Sequence, residues 1–534
     1  MPIITVRRHL HDLKIDCPAG ETILSALEGS ECLPRADCGG RGACGLCRVR
    51  AEIGTALPPT PRDLAKLPPP AIARGIRLAC QARPTRDLAI SLEAPRNRSA
   101  WTVIDDLPPP LRPEGDPGGV GLGIAVDLGS TNIRLSLLDL ASGRRLAALR
   151  GHNPQCRYGS DILTRISHAH RDAAVGERMT TQTRRALGEG IAALFDRAAG
   201  GTAGRHEVTR LRLVGNTAVL TLLAGAGSEA LLDPDNWSRH VPCRLGDPAP
   251  WRRAWRLDDG ADLALCDSLS GFVGSDLTAG VIAAGLTRAP APAMLIDFGT
   301  NTEIALWDGA TLWVAAAAGG PAFEGSGISC GAPAETGAVH RVTWPAAGGA
   351  PSLGVIGGGP PLGLCGSGLI DAVAGLRHAG IVAASGRMAA GVPREGWALS
   401  EGAAGPAAGP GLRLSRQDVD ALQRAKAAVA AAAVLLMRRA GVPGSALGCL
   451  MVSGIFGRHL DLGHAQAIGL LPSAPACRLL PVEDSALRGC ERLLAPDGAR
   501  LQAEIEGVAR AINLAAEADY EDIFVDQLRL AAFV

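Results

Sequence analysis

Three thiols, Cys38, Cys44 and Cys47, stand with five and then two residues between them, and four glycines share the same ten positions. A fourth cysteine, Cys80, follows 33 positions after Cys47. Thiolates are the soft ligands that iron–sulfur clusters and zinc both take. Glycines between the ligands let backbone N–H groups turn towards the sulfurs, which suits a cluster and raises its reduction potential. The pattern points to a [2Fe-2S] cluster on Cys38, Cys44, Cys47 and Cys80, against a structural zinc site or incidental buried thiols. Cys17 and Cys32 fall outside it and read as packing residues.

A second chemistry is written twice. Asp127-Leu128-Gly129-Ser130-Thr131-Asn132 follows the apolar run Val120 to Val126, and Asp297-Phe298-Gly299-Thr300-Asn301-Thr302 follows Ala293 to Ile296, 170 residues later. Each string runs directly into another strand-like segment. A tight glycine turn between two strands presents successive N–H groups and hydroxyls to an anion, and an aspartate at the strand end holds Mg²⁺ directly or through water. Gly129, Ser130, Thr131, Asn132, Gly299, Thr300 and Asn301 are therefore candidate phosphate contacts, with Asp127 and Asp297 at the cation. One copy alone says little beyond a hairpin; the repetition carries the reading. The histidines form no HxxxH or HExxH pattern, and Gly357-Gly358-Gly359-Pro360-Pro361 lacks the Lys-Ser/Thr of a phosphate loop.

The elements that must position these residues fall into four stretches. Residues 1–93 read as a β-rich module, with a hairpin from Ile3 to Ile15, a helix start at Glu21 to Leu27 and a strand from Arg48 after the cysteine loop. Residues 94–119 are rich in Pro, Gly, Arg and Asp and read as a linker. Residues 120–266 and 267–534 each contain one strand that runs into an aspartate turn, and across both stretches strands alternate with helices, which predicts α/β layering. The clearest helix spans Ser415 to Ala440: Ser415 and Asp418 form a capping-box pattern, Val419, Leu422, Val429 and Leu436 keep one face apolar, and Gly441 with Pro443 ends it. It leads to a strand, Cys449 to Ser453, and a turn at Gly454.

At 534 residues with formal net charge zero, the chain has several cores and no built-in attraction to nucleic acid or an anionic membrane. The opening residues lack a signal peptide's apolar stretch. The longest apolar run, Ala427 to Met437, has eleven residues, short of the roughly 20 that span a bilayer. Fourteen cysteines without a disulfide-like framework favour a reducing interior, so a cytoplasmic protein is expected.

CGGRGACGLC followed by LACQ resembles the [2Fe-2S] ferredoxins, with the five-residue first gap of the adrenodoxin type. The twin turns resemble the two phosphate motifs of the actin, sugar kinase and Hsp70 ATPase superfamily. Val452-Ser453-Gly454-Ile455-Phe456-Gly457 sits where that superfamily places its adenosine-binding turn, which makes Gly454 and Gly457 nucleotide contacts, although Ile455 replaces the usual small residue. Joined on one chain, these parts resemble the reductive activators of corrinoid proteins. So do Asn153-Pro154-Gln155 with Tyr158-Gly159 and Asp161, Val214-Gly215-Asn216-Thr217, Gly271 to Asp276, Phe323-Glu324-Gly325 and Leu364 to Gly368. The resemblance implies a multidomain fold: a small α+β ferredoxin-like β-grasp domain, then an α/β actin-like ATPase of two RNase H-like halves. It implies ATP, Mg²⁺ and a [2Fe-2S] cluster as cofactors. It also implies a corrinoid protein as partner, an external reductase as electron source and a homodimer. The implied activity is ATP-dependent one-electron reduction of Co(II) to Co(I), with Glu303 and Glu324 as candidate water-orienting carboxylates. An activator of another low-potential enzyme, or a nucleotide-gated redox sensor or scaffold, stands as the alternative.

Overall fold

The computed structural model describes the chain except for residues 8–11, 28–29, 31, 35, 37–39, 41, 43–44, 46, 53–56, 68, 93–94, 97–100, 113–118, 160, 199–203, 324, 326, 346–348, 402–410 and 455–458. Contacts divide it into two units. One comprises Met1–Val103, Ser130–Ile133 and Leu149–Gly190; the other comprises Ile104–Gly129, Arg134–Ala148 and Ile191–Val534.

The first unit holds a five-stranded sheet of β1 (Ile3–Val6), β2 (Leu13–Asp16), β3 (Arg48–Ala51), β4 (Ile76–Leu78) and β5 (Leu88–Leu92), in the order β2-β1-β5-β3-β4. β1 runs antiparallel to β2, as the opening alternation predicts, and parallel to β5. Ile4, Val49, Ile76, Leu78 and Ile90 face one core, which Cys17 and Cys32 also join. A short helix, Pro61–Lys66, starts at a Thr60/Asp63 capping box. The buried Asp63 then accepts the Leu78 N–H at 2.7 Å, fixing that helix to the strand that precedes Cys80. Later in the unit, α1 (Ile162–Arg171) is capped by Asp161.

The stretch 94–119, expected as a linker, carries structure of its own. Thr102 and Val103 pair antiparallel with Arg150 and Leu149, and Trp101 lies against Gly151. Within the second unit, the Pro108 carbonyl accepts from Arg145 at 2.8 Å and the Pro109 carbonyl from Arg488 at 3.4 Å. Proline has no N–H, so its carbonyl is the only backbone group a neighbour can grip. Composition marked the segment as irregular but could not show those arginines.

The second unit is built on two sheets of similar plan. The first is six-stranded and uses β6 (Leu122–Leu128), β7 (Asn132–Asp139), β8 (Arg144–His152), β9 (Val208–Gly215) and β10 (Asp262–Leu265), in the order β10-β9-β6-β7-β8, with the short strand Thr102–Val103 beyond Leu149 and Arg150 of β8 as the sixth. The second uses β11 (Ala293–Phe298), β12 (Thr302–Trp307), β13 (Leu312–Ala317), β14 (Cys449–Ser453), β15 (Arg478–Pro481) and β16 (Ala509–Ala511), in the order β15-β14-β11-β12-β13-β16. In each, the strand ending in the aspartate turn pairs parallel with a later strand, which pairs parallel with another. β6 and β11 are buried almost throughout, as expected of strands covered on both faces.

Four helices matter for the site and its support: α2 (Thr217–Ala224), capped by Asn216; α3 (Ser275–Ala284); α4 (Arg416–Arg439); and α5 (Ser485–Leu493). α4 has the expected capping box of Ser415 and Asp418. Its Gln423 and Lys426 donate to the carbonyls of Leu528 and Arg529 at 2.8 and 2.7 Å, and Arg377 donates to Leu530 at 2.9 Å, fastening the C-terminal segment. α3 and α5 cross so closely that a Cβ on Gly489 would lie 1.9 Å from the Ala279 carbonyl oxygen. Only glycine allows that approach. Among the described residues no helix is long and apolar enough to cross a membrane.

Candidate functional site

Cys47 enters β3 and Cys80 leaves β4, both buried, so the antiparallel pairing of those strands brings the last two thiols of the motif to one end of the sheet. The Ala79 N–H donates to the Cys47 carbonyl at 2.7 Å. Leu24 and Ile23 donate to the carbonyls of Ala79 and Ala82, each at 2.9 Å, holding the turn around Cys80. Gln81 Nε2 reaches the Cys80 Sγ at 3.3 Å and the Gly40 carbonyl at 3.3 Å, tying the cysteine loop to Cys80. Gly40, Gly42 and Gly45 all have left-handed backbones, which a loop wrapped around a compact group requires. Buried sulfurs beside such a loop, with an amide donor on one of them, fit a [2Fe-2S] cluster. Cys38 and Cys44 lie outside the described residues.

The first aspartate turn joins β6 to β7. In the first unit its outer residues are held from behind: Asn153 N–H donates to the Thr131 carbonyl at 2.9 Å, and the Ser130 carbonyl accepts from Arg165 at 2.7 Å and from the Cys156 thiol at 3.2 Å. These bonds engage the carbonyls of Ser130 and Thr131 and hold that part of the turn in place. The second turn joins β11 to β12. Gly299 N–H bonds the Asn301 carbonyl at 3.2 Å, and among the described residues the buried Asn301 amide nitrogen has no acceptor. Gly454 follows β14 with φ +91, packed so tightly that a Cβ would lie 2.2 Å from the Phe298 carbonyl oxygen. Gly457 lies outside the described residues.

The second unit gathers carboxylates at the strand ends. Asp127 and Asp297 are the penultimate residues of β6 and β11, Glu303 is the second residue of β12, Asp276 lies in the first turn of α3, and Asp484 precedes α5. Asp297 Oδ2 accepts from Ser453 at 2.5 Å and Ser485 at 3.0 Å. Glu303 accepts from the Gly274 N–H at 3.1 Å and from Asn216. Arg134, on β7, pairs with Asp484 at 2.5 Å.

Burial raises the pKa of Asp127, Asp276, Asp297 and Glu303. Asp127 is pushed up to about 6, with Asp297 and Asp484 adding to the rise and Arg134 opposing it. Burial, then the charges of Asp127 and Asp297, push Asp276 up to about 8. Asp297 rises from burial despite its two serine donors and Arg134, and Glu303 rises well above its usual value from burial and Asp276. A buried excess of negative charge is costly unless a proton or a cation offsets it. Mg²⁺ fits this chemistry, and the spread of the carboxylates fits a cation that keeps much of its water. Among the described residues, the only three acidic, histidine or cysteine side chains with ligand atoms within 4.8 Å of one another are Asp371, Asp461 and His464. There Arg341 already supplies the positive charge, 3.0 Å from Asp461 and 3.7 Å from Asp371.

Of the sequence candidates, Asp127, Asp297 and Glu303 belong to this acidic group, whereas Glu324 lies outside the described residues. Sequence reasoning missed Asp276, Asn216, Arg134, Ser453, Asp484 and Ser485 as site residues. Asn216, Ser453 and Asp276 lie inside strings that had been singled out, so a signal existed. Arg134 and Asp484, 350 positions apart, lie in no string that could have joined them.

The fold and site define an iron–sulfur module joined to an ASKHA-type ATPase fold. Comparison with known proteins bears this out. Residues 8–85 match the 2Fe-2S iron-sulfur cluster binding domain, residues 122–289 the RACo middle region, and residues 291–532 the C-terminal domain of RACo, the ASKHA domain. The chain belongs to the RACo family. It is 28% identical over 421 residues to the corrinoid activation enzyme RamQ of Eubacterium limosum, spanning 76% of this chain and 69% of that protein. It is 25% identical to the [Co(II) methylated amine-specific corrinoid protein] reductase of Methanosarcina barkeri, over 66% of each chain. A solved structure named reductive activator for corrinoid, iron-sulfur protein superposes over 100% of this chain and 99% of its own, with a TM-score of 0.63 at 23% identity, which speaks for the fold.

Proposed function

We propose that the protein is an ATP-dependent reductive activator of a corrinoid protein, returning an inactive Co(II) corrinoid to Co(I) by one electron. The observation that carries this is the joining, on one chain, of a cysteine loop fit for a [2Fe-2S] cluster and two phosphate turns flanked by an uncompensated acidic group. The two curated relatives are named for corrinoid activation and for reduction of a Co(II) corrinoid protein, which supports the substrate class.

The cluster, when bound to Cys38, Cys44, Cys47 and Cys80, supplies a one-electron donor whose potential in plant-type ferredoxins is near −400 mV. Reducing a Co(II) corrinoid from such a donor is uphill, and each ~59 mV of a one-electron gap is a tenfold change in equilibrium constant. ATP is the proposed source of the difference. Ser130, Thr131, Thr300 and Asn301 contact its phosphates, and Gly454 with Gly457 forms the adenosine turn. Mg²⁺, when bound at Asp127 and Asp297, supplies the positive charge that the buried carboxylates lack. Glu303 and Glu324 orient the hydrolytic water. Nucleotide binding then favours the conformation in which the corrinoid partner accepts the electron, because a ligand shifts an equilibrium only by its differential affinity for the two states. An external reductase resupplies the electron, and the protein acts as a cytoplasmic homodimer.

The test is anaerobic. Reduced protein, ATP and a Co(II) corrinoid protein from a methyltransferase or methionine synthase system should together produce the Co(I) absorption, and omission of ATP should abolish it. Absence of Co(I) with every such partner, despite a reduced cluster and bound nucleotide, refutes the proposal.

A further inference from the structure

We propose that Asp484 is a positioning residue that holds Arg134 away from Asp127 and Asp297, keeping those two carboxylates open to a divalent cation. The inference rests on the nucleotide–cation reading above. Arg134 is the cation that acts on both Asp127 and Asp297, yet among the described residues its hydrogen bond goes to neither; it goes to Asp484 at 2.5 Å. Left to itself, a guanidinium beside two buried carboxylates would seat between them and supply the charge that a metal ion otherwise brings.

Asp484 gives up three things to make that contact. Its backbone sits at φ 48 and ψ 39, a left-handed conformation that residues other than glycine seldom adopt. It occupies the N-cap of α5, where aspartate normally accepts a backbone N–H of the first turn, and makes no such bond. Its second oxygen is buried and, among the described residues, has no hydrogen-bond partner, on a side chain only 10% exposed. A strained backbone, a forgone cap and an orphaned oxygen at one residue are what a functional constraint leaves behind. The next residue, Ser485, donates to Asp297, so the same turn that draws Arg134 aside also orients the carboxylate it protects.

The experiment uses the full chain with Mn²⁺ as the probe, bound ion being read by electron paramagnetic resonance in the presence of ADP. Asp484→Asn should weaken Mn²⁺ binding by about tenfold or more, because the released arginine now competes for the same carboxylates. Asp484→Gly tests the same loss in a residue that suits the left-handed backbone: its melting temperature should not fall, while its Mn²⁺ affinity drops alike. Adding Arg134→Met to either variant should restore binding to near the wild-type level. If Asp484 variants bind Mn²⁺ as the wild type does, the inference fails. If the double variant stays as weak as the single, Asp484 is itself a ligand or serves only the fold, and the inference again fails. A wild-type chain that binds neither Mn²⁺ nor nucleotide overturns the nucleotide reading, and this one with it.

Discussion

Lys426→Met should change how stability depends on pH. Lys426 lies wholly inside the protein on α4 and donates to the Arg529 carbonyl at 2.7 Å. Burial pushes its pKa down from 10.5 to about 8. That displacement corresponds to about 3 kcal/mol acting against the charged form. Below about pH 8 the ammonium is charged both folded and unfolded, so the whole penalty on folding is present. Between about pH 8 and 10.5 the folded chain has released a proton that the unfolded chain still holds, so stability rises with pH across that window. Methionine removes the penalty but leaves the Arg529 carbonyl without its donor, a loss of about 1–3 kcal/mol. At neutral pH the variant should therefore be equal to the wild type or up to about 2 kcal/mol more stable. Urea unfolding of both full chains, followed by circular dichroism at a series of pH values, isolates the lysine because every other titrating group is shared. The wild type should gain about 2–3 kcal/mol on the variant between neutral pH and about pH 10. Stability curves that run parallel would show that the ammonium is not desolvated, and the reasoning would be wrong.

Three further outcomes can be checked. Cys80→Ser should lose or distort the [2Fe-2S] absorption while leaving the affinity for nucleotide unchanged; a colourless wild-type protein that retains zinc would reverse the assignment of the loop. Gly454→Ala must place a Cβ against the Phe298 carbonyl in a left-handed backbone, so it should weaken nucleotide binding and cost about 2–4 kcal/mol of stability; unchanged affinity and melting would remove Gly454 from the site. Glu491→Gln breaks a two-pronged pair with Arg145, at 2.6 and 2.7 Å, in which the glutamate side chain has no exposed surface. It should destabilise the chain by about 3–5 kcal/mol in thermal or urea unfolding, and a loss below 1 kcal/mol would mean that solvent already reaches the pair.

Local order in the sequence carried much of the fold. The capping box at Ser415 and Asp418, the buried runs of β6 and β11, and the repeated aspartate turns are short-range signals, and each element stands where its pattern predicts. What stayed hidden depends on pairs brought together by the fold. Asp297 is oriented by Ser453 and Ser485, which lie 156 and 188 positions away, and no string joins them. The linker shows the same limit from the other side. Its prolines suggested irregular chain, while the arginines that grip Pro108 and Pro109 lie beyond it in sequence, one of them 379 positions away.

The nine residues of α5 show how tightly such long-range agreements bind a sequence. One face sets Ser485 on Asp297 and Gly489 against Ala279; another turns Arg488 and Glu491 towards Pro109 and Arg145. A single inserted or deleted residue would rotate everything beyond it by about 100° and detach at least one face. Point substitutions can be absorbed there by neighbouring side chains, but a change of length cannot. Gaps between related chains should therefore gather in the loops before and after this helix and leave its interior uninterrupted.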